Sequence, residues 1–110
     1  MILHICLKSN WEESLKDRVY RGDTLESDGY IHCSKPNQVL EVANYIFKGE
    51  KGLVLLVIDE SKVDQKIKYE DAGNGKFYPH IYGPLNLDSV IKVIDFPPQE
   101  NGCFELPVLV

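Results

Sequence analysis

Gly29-Tyr30-Ile31-His32-Cys33-Ser34-Lys35-Pro36 opens on a turn residue, alternates like a strand and ends on a helix start. Successive side chains of a strand point to opposite faces, so Tyr30, His32 and Ser34 share one face and Ile31 and Cys33 the other. Pro36 suits the first turn of a helix, and Ser34 just before it is placed to cap the free backbone donors. An imidazole and a hydroxyl then stand on one strand face, close to the positive end of a helix. Such a place suits a polar or anionic ligand.

Outward from this stretch, residues 1–7 read as a strand with Ile2, His4 and Cys6 on one face and Leu3, Ile5 and Leu7 on the other. Ser9 or Asn10 is expected to cap a short helix with Glu12 and Glu13 in its first turn and Trp11 and Leu15 on its buried side. Residues 17–28 read as a polar connection that covers part of the site. Val39, Val42, Ala43, Ile46 and Phe47 recur at helical spacing, and Lys48-Gly49 ends that helix. Leu53-Val54-Leu55-Leu56-Val57-Ile58 is an unbroken apolar run, expected as a central strand buried on both faces. Residues 67–71 follow as a strand, with Lys68 and Glu70 opposite Tyr69. A turn at Ala72-Gly73-Asn74-Gly75-Lys76 leads into Phe77-Tyr78-Pro79-His80-Ile81-Tyr82-Gly83-Pro84-Leu85, dense in aromatics, Pro and Gly and expected to pack without regular pairing. Residues 90–96 alternate as a strand, and residues 103–108 can form a last edge strand that tolerates Pro107. Strands and two helices without regular βαβ alternation give an α+β class, as one small domain over residues 1–110.

The 110 residues are enough for one real core, and 44% apolar with 26% charged side chains is ordinary for a globular chain. A net charge of -5 argues against a nucleic-acid binder, which would carry a basic face. No apolar run approaches the roughly 20 residues that span a bilayer, and His4 and Lys8 break up the opening run, so neither a membrane span nor a signal peptide is expected. Cys6, Cys33 and Cys103 are odd in number and far apart, which indicates neither a disulfide framework nor a metal knuckle and points to the cytoplasm.

His4, His32 and His80 lie in short alternating or aromatic-rich segments. One histidine in such a setting is more often a packed structural residue, but three together bring the side chain that moves protons most readily near neutral pH. Glu70, at a strand end before a flexible loop, is the favoured acid; Glu105, between Phe104 and Leu106, competes with it. Tyr30 and Tyr82 are placed to stack on a planar ligand. Cys33 follows His32 directly, yet neighbours in a strand point apart, so the two form no nucleophile–base dyad. No HxH or HExxH spacing supports a metal, and neither GxGxxG nor a phosphate loop is present.

As a set, Ile2-Leu3-His4-Ile5, the Gly29–Ser34 stretch, Gln38, Ala43-Asn44, Leu55-Leu56-Val57-Ile58-Asp59, Tyr69-Glu70 and Pro79-His80-Ile81-Tyr82-Gly83-Pro84-Leu85 resemble the bacterial family called domain of unknown function 952 (DUF952), from residue 2 to about residue 95. That family is distantly similar to the ADP-ribosyltransferase superfamily, which includes the RNA 2'-phosphotransferases. The resemblance implies a bent or split, mainly antiparallel sheet with NAD bound in its cleft as a substrate. Mapped by motif, His4 would be the first catalytic element and His32 with Ser34 the second, with Glu70 as the third and Glu105 still open, while the His80 loop lies outside the usual transferase triad. The motif segments and the resemblance together give catalytic His4, His32 and Glu70 and ligand-binding Tyr30, Ser34, Gln38, His80 and Tyr82. By the same analogy His4 would bond the NAD ribose, Ser34 would hold the nicotinamide side, and the acid would stabilise charge developing at the ribose carbon. The phosphotransferase branch works with a set of arginines, whereas this chain has Arg18 and Arg21 alone, so RNA phosphate chemistry is not implied. The expectation is a cytoplasmic protein with a nucleotide ligand and no metal, the alternatives being a non-catalytic binding module and a metal-dependent hydrolase.

Overall fold

The apolar run Leu53–Ile58 is β4, and every residue in it is buried. A strand buried on both faces must have a core on each. Val54, Leu56 and Ile58 enter one, with Ile31, Ile81 and Leu85; Leu53, Leu55 and Val57 enter the other, with Val39, Ala43, Phe96 and Phe104. The computed structural model describes residues 1–109. β1 (Ile2–Leu7) and β8 (Val90–Asp95) flank β4, both antiparallel to it. The alternation of β1 sends Ile2 and Cys6 into the first core and Leu3 into the second, as its sequence requires.

A second sheet has the order β3-β6-β5, from β3 (Ile31–His32), β6 (Phe77–Ile81) and β5 (Ile67–Asp71). Here the aromatic, proline-bearing segment departs from its expected irregularity: β6 is the central strand and pairs on both sides. Pro79 is tolerated because of its register. Its carbonyl accepts from the Cys33 N–H at 3.0 Å, so its missing N–H faces the point where β3 ends and no ladder bond is lost toward β5. The pair β2 (Val19–Tyr20) and β7 (Leu85–Asn86) completes the strands. The two larger sheets meet at one bridge: Leu3 and Ser34 exchange both backbone hydrogen bonds at 2.8 Å.

The α-helices number three among the described residues: α1 (Lys8–Asp17), the single turn α2 (Leu25–Asp28) and α3 (Val39–Ile46). Two were expected, since α2 and β2 both fall in the segment read as a connection. α1 leaves β1 without a break, so neither Ser9 nor Asn10 caps it and no acid falls in its first turn. Starting there, it buries Ser14 and part of Trp11 and leaves Leu15 exposed. Ser34 caps nothing, because its backbone is held extended against Leu3. A turn over residues 36–38 intervenes, and the Gln38 amide oxygen accepts from the Lys35 N–H at 3.0 Å. α3 buries Val39 and Ala43 but leaves Ile46 exposed. The expected last strand over residues 103–108 does not form. Phe104 is anchored instead by stacking on Phe96, ring centroids 4.7 Å apart, and by donating its N–H to the Asn44 side chain at 2.7 Å. The fold is therefore a small α+β domain with mostly antiparallel sheets. No described helix is long and apolar enough to cross a membrane.

Candidate functional site

Past the Leu3–Ser34 bridge the two sheets splay, and a cleft of about 920 Å³ opens between them. The next rung of the ladder would set Ile5 opposite His32. That rung is not made, because the His32 carbonyl is taken by the His4 side chain, whose Nδ1 lies 2.5 Å from it. A carbonyl can only accept, so Nδ1 carries the proton and Nε2 is the acceptor, 2.7 Å from the Tyr20 hydroxyl that donates to it. Burial holds the His4 imidazole below its ordinary value, and the neutral ring suits both bonds. Burial likewise pushes the Tyr20 phenol up and the Cys6 thiol beside it up to about 11. His4 is thus a wedge with both nitrogens engaged.

His80 sits directly across from His32 in the β3–β6 register, on the face turned away from the core, and Lys68 is its neighbour on β5. Its Nδ1 lies 2.9 Å from Glu70 Oε1 and donates to it; the Tyr82 hydroxyl donates to the same oxygen. These two bonds, Tyr82 first, hold the Glu70 carboxyl below its ordinary value, while Glu70 pushes the Tyr82 phenol up to about 12. The His80 side chain is only 8% exposed, because Tyr30 stacks on its ring at 4.0 Å with the planes 12° apart. No described residue bonds His80 Nε2. With Nδ1 bound to a carboxylate, Nε2 is the nitrogen left with a free lone pair.

His32 projects outward and its Nε2 meets Asp28 Oδ2 at 2.9 Å, a bond that lowers the Asp28 carboxyl. Its ring lies 4.7 Å from that of Tyr30 and 5.3 Å from that of His80. His4, Tyr30, His32, Ser34 and His80 therefore all line one cleft, and the three histidines do converge. Glu70 and Tyr82 do not line it; they stand behind His80, with Lys68 Nζ 4.6 Å over the Tyr82 ring. Gln38 also lies off the cleft, tying α3 to β6 through a 2.9 Å bond from its side-chain nitrogen to the Phe77 carbonyl. Of the two candidate acids, Glu70 reaches a histidine, whereas Glu105 is exposed on the irregular C-terminal segment.

Tyr20, Asp28 and the walls given by Tyr78 and α3 were not legible as site residues. The four-residue spacing of Asp28 and His32 was a usable signal, since α2 runs almost directly into β3. Nothing local announces that Tyr20 reaches His4. Among the described residues no group of three or more His, Cys, Asp or Glu is arranged to hold a metal ion.

Comparison with solved structures finds the same fold in protein CC0527 from Caulobacter crescentus. Its X-ray structure matches at 28% identity with a TM-score of 0.88, covering 96% of this chain and 93% of that one. Its solution NMR structure matches at the same identity with a TM-score of 0.84, covering 96% and 91%. A search of the curated proteins finds no match. The family model described as "Protein of unknown function (DUF952)" matches residues 5–93, from the wedge strand through the His80 segment to β8, and the chain belongs to that family.

Proposed function

We propose that the cleft binds a small ligand with a planar ring, of nucleoside or nucleotide type, and that His80, oriented by Glu70, moves a proton on it. The observation that carries this reading is the Glu70–His80 pair. A carboxylate bonded to one imidazole nitrogen fixes the tautomer and leaves the other nitrogen as base or acid, which is the arrangement general acid–base catalysis needs. Tyr30, His32 and Ser34 beside it offer ring stacking and polar contacts along the cleft wall.

The resemblance to ADP-ribosyltransferases supplies the finer form of the proposal, with NAD as substrate in the split between the sheets. His4 would reach the ribose only by giving up Tyr20 or the His32 carbonyl. The residues lining the cleft include no lysine or arginine, so a pyrophosphate would be held by neutral donors alone. The lining therefore favours a nucleoside-like ring and its hydroxyls over a dinucleotide.

Thermal unfolding with NAD, ADP-ribose, nicotinamide and adenosine, each at millimolar concentration, tests the reading. A ligand at 100 times its dissociation constant adds about 2.7 kcal/mol to stability. A rise in melting temperature with at least one of the four is expected, and His80→Ala should abolish it. Nicotinamide released from NAD by the native protein but not by His80→Ala would establish the transferase form; binding without release would leave a binding module. If none of the four shifts the transition, the nucleotide reading fails.

A further inference from the structure

We propose that the open edge of β1 docks an extended, basic peptide segment by strand addition. Neighbouring residues of a strand turn their backbone N–H and C=O to opposite edges. The Lys8 N–H bonds the Gly52 carbonyl at 2.8 Å, so the even-numbered residues of β1 face β4, and Leu3, Ile5 and Leu7 face the other way. Leu3 is satisfied there by Ser34. Beyond it the edge has no partner among the described residues, because the His32 carbonyl that would continue the ladder is held by His4. The Ile5 N–H and C=O and the Leu7 N–H are left facing the cleft, and Leu3 to Leu7 all line it. An unpaired edge of this kind is a template for an added strand, whose main-chain bonds supply affinity while alternate side chains supply selectivity.

Charge decides the occupant. The same cleft is lined by Val42 and Ile46 next to the apolar strand edge and by the acids Asp23, Glu41, Glu50 and Asp71, with no lysine or arginine in the lining. Among the described residues only Glu41 of these acids has a counter-charge, Lys76 at 2.7 Å, while Asp71 accepts from the Gly73 and Gly75 N–H groups. Ile46 is 63% exposed and Tyr45 87%, apolar surface that an added strand would cover. An extended segment alternating Lys or Arg with aliphatic residues satisfies the edge, the acids and the apolar wall together. The proposal uses the backbone of β1 and the acids Glu41 of α3, Glu50 beyond it and Asp71 at the end of β5, and is independent of any chemistry at His80.

The probe is a fluorescein-labelled octapeptide of alternating Lys and Val, compared with its Glu-Val counterpart, with a Lys-Val peptide N-methylated at alternate residues, and with spermidine. Saturable binding of the Lys-Val peptide is expected by fluorescence anisotropy, with amide exchange at Ile5 and Leu7 slowed about tenfold or more on binding. Glu41→Lys with Glu50→Lys should weaken it about tenfold or more, and affinity should fall with added salt. The proposal is overturned by no binding, by equal binding of the Glu-Val or N-methylated peptide, by spermidine competing at Lys-Val affinity, or by unchanged exchange at Ile5 and Leu7. Protection of those two amides in the free protein, with a dimer by sedimentation, would also overturn it, since a second copy would then hold the edge. His80→Ala should bind the peptide as the native chain does, which separates this outcome from failure of the nucleotide reading.

Discussion

At Glu70 two donors converge on one carboxylate oxygen, and the consequence is measurable by pH. The folded chain holds this carboxyl below its ordinary value of 4.5, so the unfolded chain binds more protons once the pH drops into that range. The stability Glu70 contributes is complete above 4.5 and is lost as pH falls through its folded value. Glu70→Gln removes that term. The stability advantage of the native chain over the variant should shrink as the pH falls below 4.5 in urea titrations. The same variant should bring the Tyr82 phenol down from about 12 toward its ordinary 10, read by ultraviolet titration against Tyr82→Phe. An unchanged phenol titration would mean that Glu70 does not hold Tyr82. At this scale the sequence marked His4, His32 and His80 as residues of interest, and could not rank them. Their chemistry depends on what each nitrogen touches: His4 is bound at both, His32 meets Asp28, and His80 keeps one free. Asp28 lies 4 residues from His32, but the other partners lie between 10 and 28 residues away along the chain, beyond what a local pattern encodes.

Among the elements, β6 shows how a pattern can mislead. Pro79 argues against a paired strand, and only the register against the end of β3 removes that objection. The exit from β6 has its own device. Gly83 has φ +151°, and a Cβ there would stand 2.5 Å from the Gln65 side chain just before β5. Gly83 thus lets the chain pass over the start of β5 while the Tyr82 N–H bonds the Lys66 carbonyl at 2.8 Å. Gly83→Ala should cost about 1–3 kcal/mol in urea unfolding through its backbone conformation, with the clash added. Adding Gln65→Ala should recover the steric part and not the backbone part. Full recovery would show that φ at this position carries no cost. Helix starts were misplaced for a related reason: a cap depends on where the preceding strand lets go, and the bonds to Leu3 hold Ser34 extended while α1 grows directly from β1.

For the molecule as a whole, β4 belongs to both cores, so the two should melt together. Leu56→Ala opens the first core and Leu55→Ala the second, each at a cost of about 2–5 kcal/mol. Trp11, the single tryptophan, packs against the first core only. Its fluorescence should nevertheless report the full loss for Leu55→Ala, at the same urea midpoint as far-ultraviolet circular dichroism. Separate midpoints would show that the cores unfold independently. The sequence by itself determined the α+β class, the doubly buried β4 and the two faces of β1, because an unbroken apolar run and a period of two need no partner to be read. It also singled out every histidine that lines the cleft. Only the tertiary structure decided that two sheets meet at one bridge and part around the His4 ring, that Glu70 rather than Glu105 reaches His80, and that the edge of β1 is left open. Each of these depends on the register between strands far apart in the chain, which is set when both cores close and is written in no single stretch.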